Sequence, residues 1–187
     1  MSKMIIITGC LAAGKTTFAK KLSAELNIPL FSKDLIKVAL SEYITIANRE
    51  ESSRLSKATV SVMINIAESL MLVNKPFILE ANFRQYEGER IGELLKKYNY
   101  SSLTYLFVGD PKILGKRFVE RESTDERHKA NRLFEEIDDL DLFDKWFEEY
   151  RNFNVGDKII TVDATYFEKV DFDLLINAAL KITFSAP

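Results

Sequence analysis

Short apolar runs alternate with stretches of helical period along this chain. Met4-Ile5-Ile6-Ile7 is the first run and predicts a strand. Residues 15–26 follow with Phe18, Leu22 and Leu26 at i, i+4 and i+8, which predicts an amphipathic helix, and Asn27 is its stop signal. Residues 28–31 predict a second, short strand and 33–42 a helix. From Ser52 to about Val73, Leu55, Ala58, Val62, Ile66 and Leu70 keep helical spacing, with Ser52 or Ser53 as the cap. Residues 76–79 predict the third strand and 86–98 a charged amphipathic helix. Residues 103–108 predict the fourth strand, closed by Gly109-Asp110-Pro111, with helix over 111–121. An acidic helix is expected at about 133–150, with Leu133, Ile137, Leu140, Phe143, Phe147 and Tyr150 as its apolar stripe and Trp146 packing. Its carboxylates read as a solvated face. Residues 158–162 predict the fifth strand and 168–182 the last helix.

Five short apolar strands separated by helices call for a parallel sheet covered on both faces. In such a sheet ligands sit beyond the carboxyl ends of the strands. Those ends carry Gly9 to Thr17, then Ser32-Lys33-Asp34, Glu80-Ala81-Asn82-Phe83-Arg84, Gly109-Asp110-Pro111 and Asp163-Ala164-Thr165. Four of the five suit a phosphate and metal site.

Composition narrows the class without naming a chemistry. The 187 residues are 47% hydrophobic and 29% charged, which fits a single globular domain. The net charge of -2 gives no basic excess for non-specific binding to duplex nucleic acid. One cysteine, Cys10, cannot form an internal disulfide. No run of 18 apolar residues predicts a membrane span, and the first apolar run is too short for a signal peptide, so a cytoplasmic location is expected.

The first strand end carries the sharpest motif. Gly9-Cys10-Leu11-Ala12-Ala13-Gly14-Lys15-Thr16 fits G-x-x-x-x-G-K-[ST] between a strand and a helix. Glycines allow a tight turn whose amides face phosphate oxygens, and the following helix adds its positive dipole end. Lys15 is placed to reach the β- and γ-phosphates, and Thr16 to offer its hydroxyl to Mg²⁺. Cys10 is a loop residue here, with no base beside it in sequence. A G-protein would need Asn-Lys-x-Asp after a strand. Asn74-Lys75 lacks that Asp and precedes a strand.

The other ends admit two readings each. Asp34 could take the proton of an attacking hydroxyl, or simply complement a helix N-terminus. Glu80 could hold Mg²⁺ or the acceptor, with Asn82 and Arg84 beside it on the substrate side; solvated strand-end polarity is the alternative. Arg117 and Arg121 share a helix face and could neutralise charge on a transferring phosphoryl group, or could be a solvated pair with Glu120 and Glu122. His128, the single histidine, reads as a surface residue. Lys33, Arg49, Arg54 and Arg84 could suit an anion, or owe their places to the surface.

Together these motifs resemble the small P-loop kinases, the group of adenylate kinase and polynucleotide kinase, and within it the kinases of the AAA-type family akin to zeta toxins and chloramphenicol phosphotransferase. The likeness rests on Gly9-Cys10-Leu11-Ala12-Ala13-Gly14-Lys15-Thr16-Thr17, Phe31-Ser32-Lys33-Asp34-Leu35-Ile36-Lys37, Phe77-Ile78-Leu79-Glu80-Ala81-Asn82-Phe83, and Arg117-Phe118-Val119-Glu120-Arg121 with Arg127-His128, spread over about residues 4–165. It implies a three-layer α/β/α P-loop NTPase fold with a five-stranded parallel sheet of order 2-3-1-4-5. It implies one kinase domain over 1–187 with a lid-like segment at about 121–135. ATP and Mg²⁺ are the implied cofactors, with the γ-phosphoryl moving to a hydroxyl or phosphate of a small molecule, nucleotide or polynucleotide end. Lys15, Asp34, Arg117 and Arg121 are then catalytic. Gly9 to Thr17, Arg117 and Thr165 bind the nucleotide. Asp34, Glu80, Asn82 and Arg84 face the acceptor, and Thr16 and Glu80 the metal. His128 is followed by Lys129-Ala130-Asn131, where relatives often carry a His-Pro-Gly-His run. The opposing reading is a nucleotide-binding regulatory ATPase with no acceptor. A concave pocket beside Asp34, Glu80 and Arg84 separates the two.

Overall fold

The computed structural model describes residues 4–122, 124, 128–132 and 140–184. Five strands form one parallel sheet: β1 (Met4–Gly9), β2 (Leu30–Ser32), β3 (Phe77–Glu80), β4 (Ser102–Val108) and β5 (Lys158–Asp163). Their spatial order is β2-β3-β1-β4-β5, as the family resemblance implies. The helices are α1 (Lys15–Leu26), α2 (Lys33–Ser41), α3 (Arg49–Leu72), α4 (Gln85–Tyr98), α5 (Pro111–Glu122), α6 (Leu140–Arg151) and α7 (Phe172–Phe184). Short 3₁₀ turns lie at Lys129–Asn131 and Phe167–Lys169.

The central strands read as unbroken apolar runs because both of their faces are covered. Side chains alternate between the faces. Ile5, Ile7, Ile78, Leu103, Tyr105 and Phe107 enter one core, which Phe18 and Leu22 of α1, Phe118 of α5 and Phe147 of α6 fill from the helix side. Met4, Ile6, Phe77, Leu79 and Leu106 enter the other, under Val60, Met63 and Ala67 of α3 and Ile91 of α4. Ile5 and Ile6 are both 0% exposed, so truncating either to alanine is expected to cost about 2–5 kcal/mol. By length and composition α3 could span a membrane. Here its apolar stripe, Leu55, Val60, Met63, Ile64, Ala67 and Met71, is buried within the fold.

Element boundaries moved where local capping outweighed periodicity. α3 starts at Arg49, not Ser52. Its cap is Asn48, whose side-chain oxygen accepts from the Glu51 amide at 3.0 Å, while the Ala47 amide donates to Glu51 Oε2 at 2.8 Å. Ser52 is instead buried inside the helix. β2 begins at Leu30, because Asn27 turns left-handed (φ 51°) and ends α1. α7 begins at Phe172, where Asp171 Oδ1 accepts from the Leu174 amide at 2.9 Å. The first half of the expected acidic helix, and with it Leu133 and Ile137, lies outside the described residues. So does much of the expected lid segment, including Arg127.

Candidate active site

Strand register builds this site before any loop does. Ser32 pairs with Glu80, and Glu80 pairs with Ile7, so three strand ends meet at one point on the sheet edge. Glu80 is buried between two hydroxyls. Thr16 Oγ1 donates to its Oε1 at 3.1 Å and Ser32 Oγ to its Oε2 at 2.5 Å. Burial pushes the Glu80 carboxyl above the usual range, while Lys15 and the two hydroxyls pull it back.

The loop between β1 and α1 closes over this point. Gly9 holds φ +117° against β4, where an added Cβ would lie 2.0 Å from the Phe107 carbonyl oxygen. Gly14 holds φ +81°, and a Cβ there would lie 2.0 Å from the Phe167 ring. Both conformations belong to glycine. Ala12 also turns left-handed, at φ 53°. The Cys10 amide donates to the Phe107 carbonyl at 2.8 Å, anchoring the loop to β4. Lys15 opens α1, is buried, and donates from Nζ to the Cys10 carbonyl at 2.5 Å. Burial lowers its ammonium pKa, and Glu80 opposes that shift. The Cys10 thiol is buried and pushed up by that burial, which rules against a nucleophile.

The residues fit a magnesium ion and a polyphosphate. A hydroxyl and a carboxylate, both hard oxygen donors, touch at the start of a helix. Mg²⁺ takes one or two such protein ligands and completes its shell with water and phosphate oxygens. No cluster of three or more His, Cys, Asp or Glu suited to a metal occurs among the described residues, so the ion would depend on those phosphate oxygens.

A cleft of about 300 Å³ runs from the loop toward α2 and α3. Lys15, Thr16, Asp34, Glu80, Asn82, Arg84 and Arg121 all line it. Asn82 Oδ1 accepts from Lys33 Nζ at 2.7 Å, and its amide nitrogen donates to the Tyr150 hydroxyl at 2.9 Å. Arg84 Nε lies 3.6 Å from Glu149 Oε1. The Asp34 carbonyl accepts from Asn131 Nδ2 at 3.3 Å, tying α2 to the 3₁₀ turn after His128. His128 is exposed, and its Nδ1 accepts from the Ala130 amide.

The structure bears on three further sequence readings. Arg117 does not line the cleft. Its guanidinium donates to the carbonyls of Ala12 (3.2 Å), Ala164 (3.2 Å) and Thr165 (3.0 Å), which bolts the phosphate loop to the loop after β5. Arg54 faces solvent, 3.9 Å from Glu50 and 69% exposed, and stays outside the cleft. Trp146 packs against the first core but also lines the cleft, with the Arg49 guanidinium 5.8 Å from its ring centre.

Sequence reasoning missed Lys37, Ser52, Lys57, Tyr86, Arg132 and Tyr150 as cleft residues. Two signals were available. Lys33 and Lys37 stand four apart on α2, and Trp146 and Tyr150 four apart on α6, so each pair shares a helix face.

The comparisons with known proteins agree with this geometry. The AAA domain family model matches residues 5–142. No curated protein sequence matches. Among solved structures, a "putative kinase" from Chloroflexus aurantiacus is 25% identical, with a TM-score of 0.81, covering 100% of this chain and 98% of that one. Shikimate kinase from Acinetobacter baumannii, solved with shikimate, is 16% identical with a TM-score of 0.61, covering 99% and 94%. A gluconokinase from Sinorhizobium meliloti is 13% identical with a TM-score of 0.58, covering 98% and 97%. The last two likenesses are of fold.

Proposed function

The chain belongs to the AAA domain family, and we propose that it works there as a P-loop kinase, moving the γ-phosphoryl group of Mg·ATP to a hydroxyl of a small acceptor molecule. The observation that carries this reading is the continuity of the cleft. One wall is the phosphate loop with Lys15 and Thr16. The same space extends past Glu80 and Asp34 to α2, α3 and Tyr150, where nothing is needed merely to bind a nucleotide. A regulatory ATPase has no use for that second half. The family match, the likeness to kinases and the loop motif support the same reading.

In this proposal the loop amides and Lys15 hold the phosphates, and Arg121 meets charge as it develops on the transferring group. Thr16 and Glu80 would hold Mg²⁺, which would supply charge neutralisation to the phosphates. Ser32 fixes the Glu80 carboxylate so that one oxygen stays turned to Thr16. Asp34, on the first turn of α2 and lining the cleft, takes the acceptor proton. Arg117 braces the nucleotide side, between the phosphate loop and Thr165.

The test is ATP consumption across a panel of hydroxylated acceptors, with Asp34→Asn beside the wild type. An acceptor that stimulates turnover, and a loss of about 10²–10⁴-fold in kcat in the variant with ADP affinity unchanged, is the expected result. ATP hydrolysis indifferent to every acceptor would favour the regulatory ATPase. Full kcat in Asp34→Asn would remove Asp34 as the base.

A further inference from the structure

Three polar side chains on the cleft wall are joined by hydrogen bonds that can run in only one direction. Lys33 opens α2, Asn82 follows β3, and Tyr150 stands near the end of α6. The pairing of Ser32 with Glu80 brings the first two side by side. Lys33 Nζ donates to Asn82 Oδ1 at 2.7 Å, and Asn82 Nδ2 donates to the Tyr150 hydroxyl at 2.9 Å. All three residues line the cleft.

The ammonium sets the direction. It carries donors and no lone pair, so only the amide oxygen can face it. Turning the Asn82 amide over would put its NH₂ 2.7 Å from another donor. With the oxygen held by Lys33, the nitrogen faces Tyr150 and the phenol oxygen must accept. The Tyr150 proton therefore points away from Asn82. The Arg84 guanidinium faces the same oxygen, and it too can only donate. Among the described residues no acceptor takes that proton. Tyr150 is 5% exposed, and the cleft is the open space beside it. A donor so placed is satisfied by an oxygen that enters the cleft, and leaving it unbonded is costly.

We infer that Tyr150 determines acceptor specificity: held as a donor by Lys33 and Asn82, its hydroxyl binds an oxygen of the acceptor other than the one phosphorylated. Lys33 and Asn82 are positioning residues that act through Tyr150. The inference rests on the kinase reading and narrows the acceptor to compounds that bring a second oxygen lone pair to this wall. An ammonium at that place would set donor against donor, with Tyr150 and Lys33 both unable to accept from it.

The test reads the direction of the bonds separately from turnover. NMR of the protein labelled with ¹³Cζ-tyrosine follows the Tyr150 phenol, assigned by its loss in Tyr150→Phe. Its ζ-carbon resonance moves downfield as the phenol donates more strongly. Asn82→Asp keeps the shape and replaces the NH₂ with a second acceptor oxygen. The Tyr150 proton should turn to that carboxylate and the resonance should move downfield. Turnover is then measured at saturating Mg·ATP on the hydroxylated panel, each member beside an amino analogue, with glycerol beside serinol and D-glucose beside D-glucosamine. The oxygen member should be the better substrate. Its KM should rise about tenfold or more in Asn82→Asp, which turns lone pairs toward the substrate oxygen, and only a few-fold in Tyr150→Phe. The nucleotide KM should hold in both. A Tyr150 resonance that stays in place in Asn82→Asp overturns the inference. So does preference for the amino member, or an acceptor KM that rises no more in Asn82→Asp than in Tyr150→Phe. Turnover indifferent to every acceptor, with the resonance shifted as expected, counts instead against the kinase reading.

Discussion

The two halves of the cleft are made of different material. The donor half is backbone: amides from Gly9 to Thr16, two left-handed glycines, and a helix end, all within one run of sequence. The half we assign to the acceptor is side chains from separate segments, among them α2, the start of α3, the turn after β3, and α6. A backbone cradle serves any polyphosphate and tolerates change at most of its side chains. A side-chain cavity is shaped residue by residue and can be re-aimed by single substitutions. Nucleotide binding and acceptor choice are thereby separable on one fold.

That contrast predicts opposite failures. The donor half should break through geometry. Gly9→Ala forces a Cβ to within 2.0 Å of the Phe107 carbonyl at φ +117°, where neither backbone can give way cheaply. Strain and overpacking together should cost on the order of 3–5 kcal/mol, read as a lower urea midpoint, and nucleotide binding should vanish with it. Wild-type stability in this variant would mean that β4 yields at the loop. Lys15→Met is the next largest. It keeps the loop but removes a charge beside the phosphates, so kcat should fall roughly 10²–10³-fold in an ATP-consumption assay while the fold persists.

How much of this was legible in the sequence follows the same division. The sheet was readable because β1 and β3 are buried on both faces and so appear as unbroken apolar runs. The donor loop was readable because its chemistry demands fixed spacing over eight contiguous residues. Arg117 and Arg121 were recognised as a pair on one face, yet they part company in space. Arg117 turns toward carbonyls of the Ala12 and Thr165 loops, and Arg121 stays on the cleft. Sequence spacing gives the shared face and cannot give the residues opposite it. Lys37 was overlooked for a related reason: its significance is its burial against α3, and a lysine in a short helix carries no sign of that. The cap of α3 was misplaced because Ser52 and Ser53 are good caps by type, while Asn48 with Glu51 makes a better one four residues before Ser52.

Smaller effects sharpen the boundary between the halves. Arg117→Met removes three donations that tie the phosphate loop to the loop after β5. With each bond contributing about 1 kcal/mol, the nucleotide KM should rise about tenfold or more, and the acceptor KM should stay put. A fall in kcat at saturating ATP would instead return Arg117 to the transferring group. Tyr150→Phe takes away the hydroxyl that accepts from Asn82. One neutral hydrogen bond is worth about 0.5–1.5 kcal/mol, so the acceptor KM should rise a few-fold, with nucleotide affinity unchanged. If nucleotide affinity moved too, α6 would belong to both halves.

A perturbation outside both halves should move stability alone, and Tyr100 supplies one. It packs in the second core against Phe77, and its hydroxyl donates to the Lys75 carbonyl at 2.5 Å, at the far end of the sheet from the cleft. Burial pushes its pKa up to about 12, from an ordinary value near 10. The folded state therefore keeps the phenol neutral over a range where the unfolded chain ionises. Stability from this group is fully present below about pH 10, and it is lost as pH rises through 10 toward 12. Urea unfolding followed across that window should show the midpoint falling with pH, and Tyr100→Phe should flatten part of the slope. The phenyl ring preserves the contact with Phe77, so the loss at neutral pH is confined to one hydrogen bond. Nucleotide and acceptor constants at pH 7.5 should be those of the wild type. A change in either constant would mean that this core is coupled to the site through β3, whose last residue is Glu80, and the clean division into two halves would fail there.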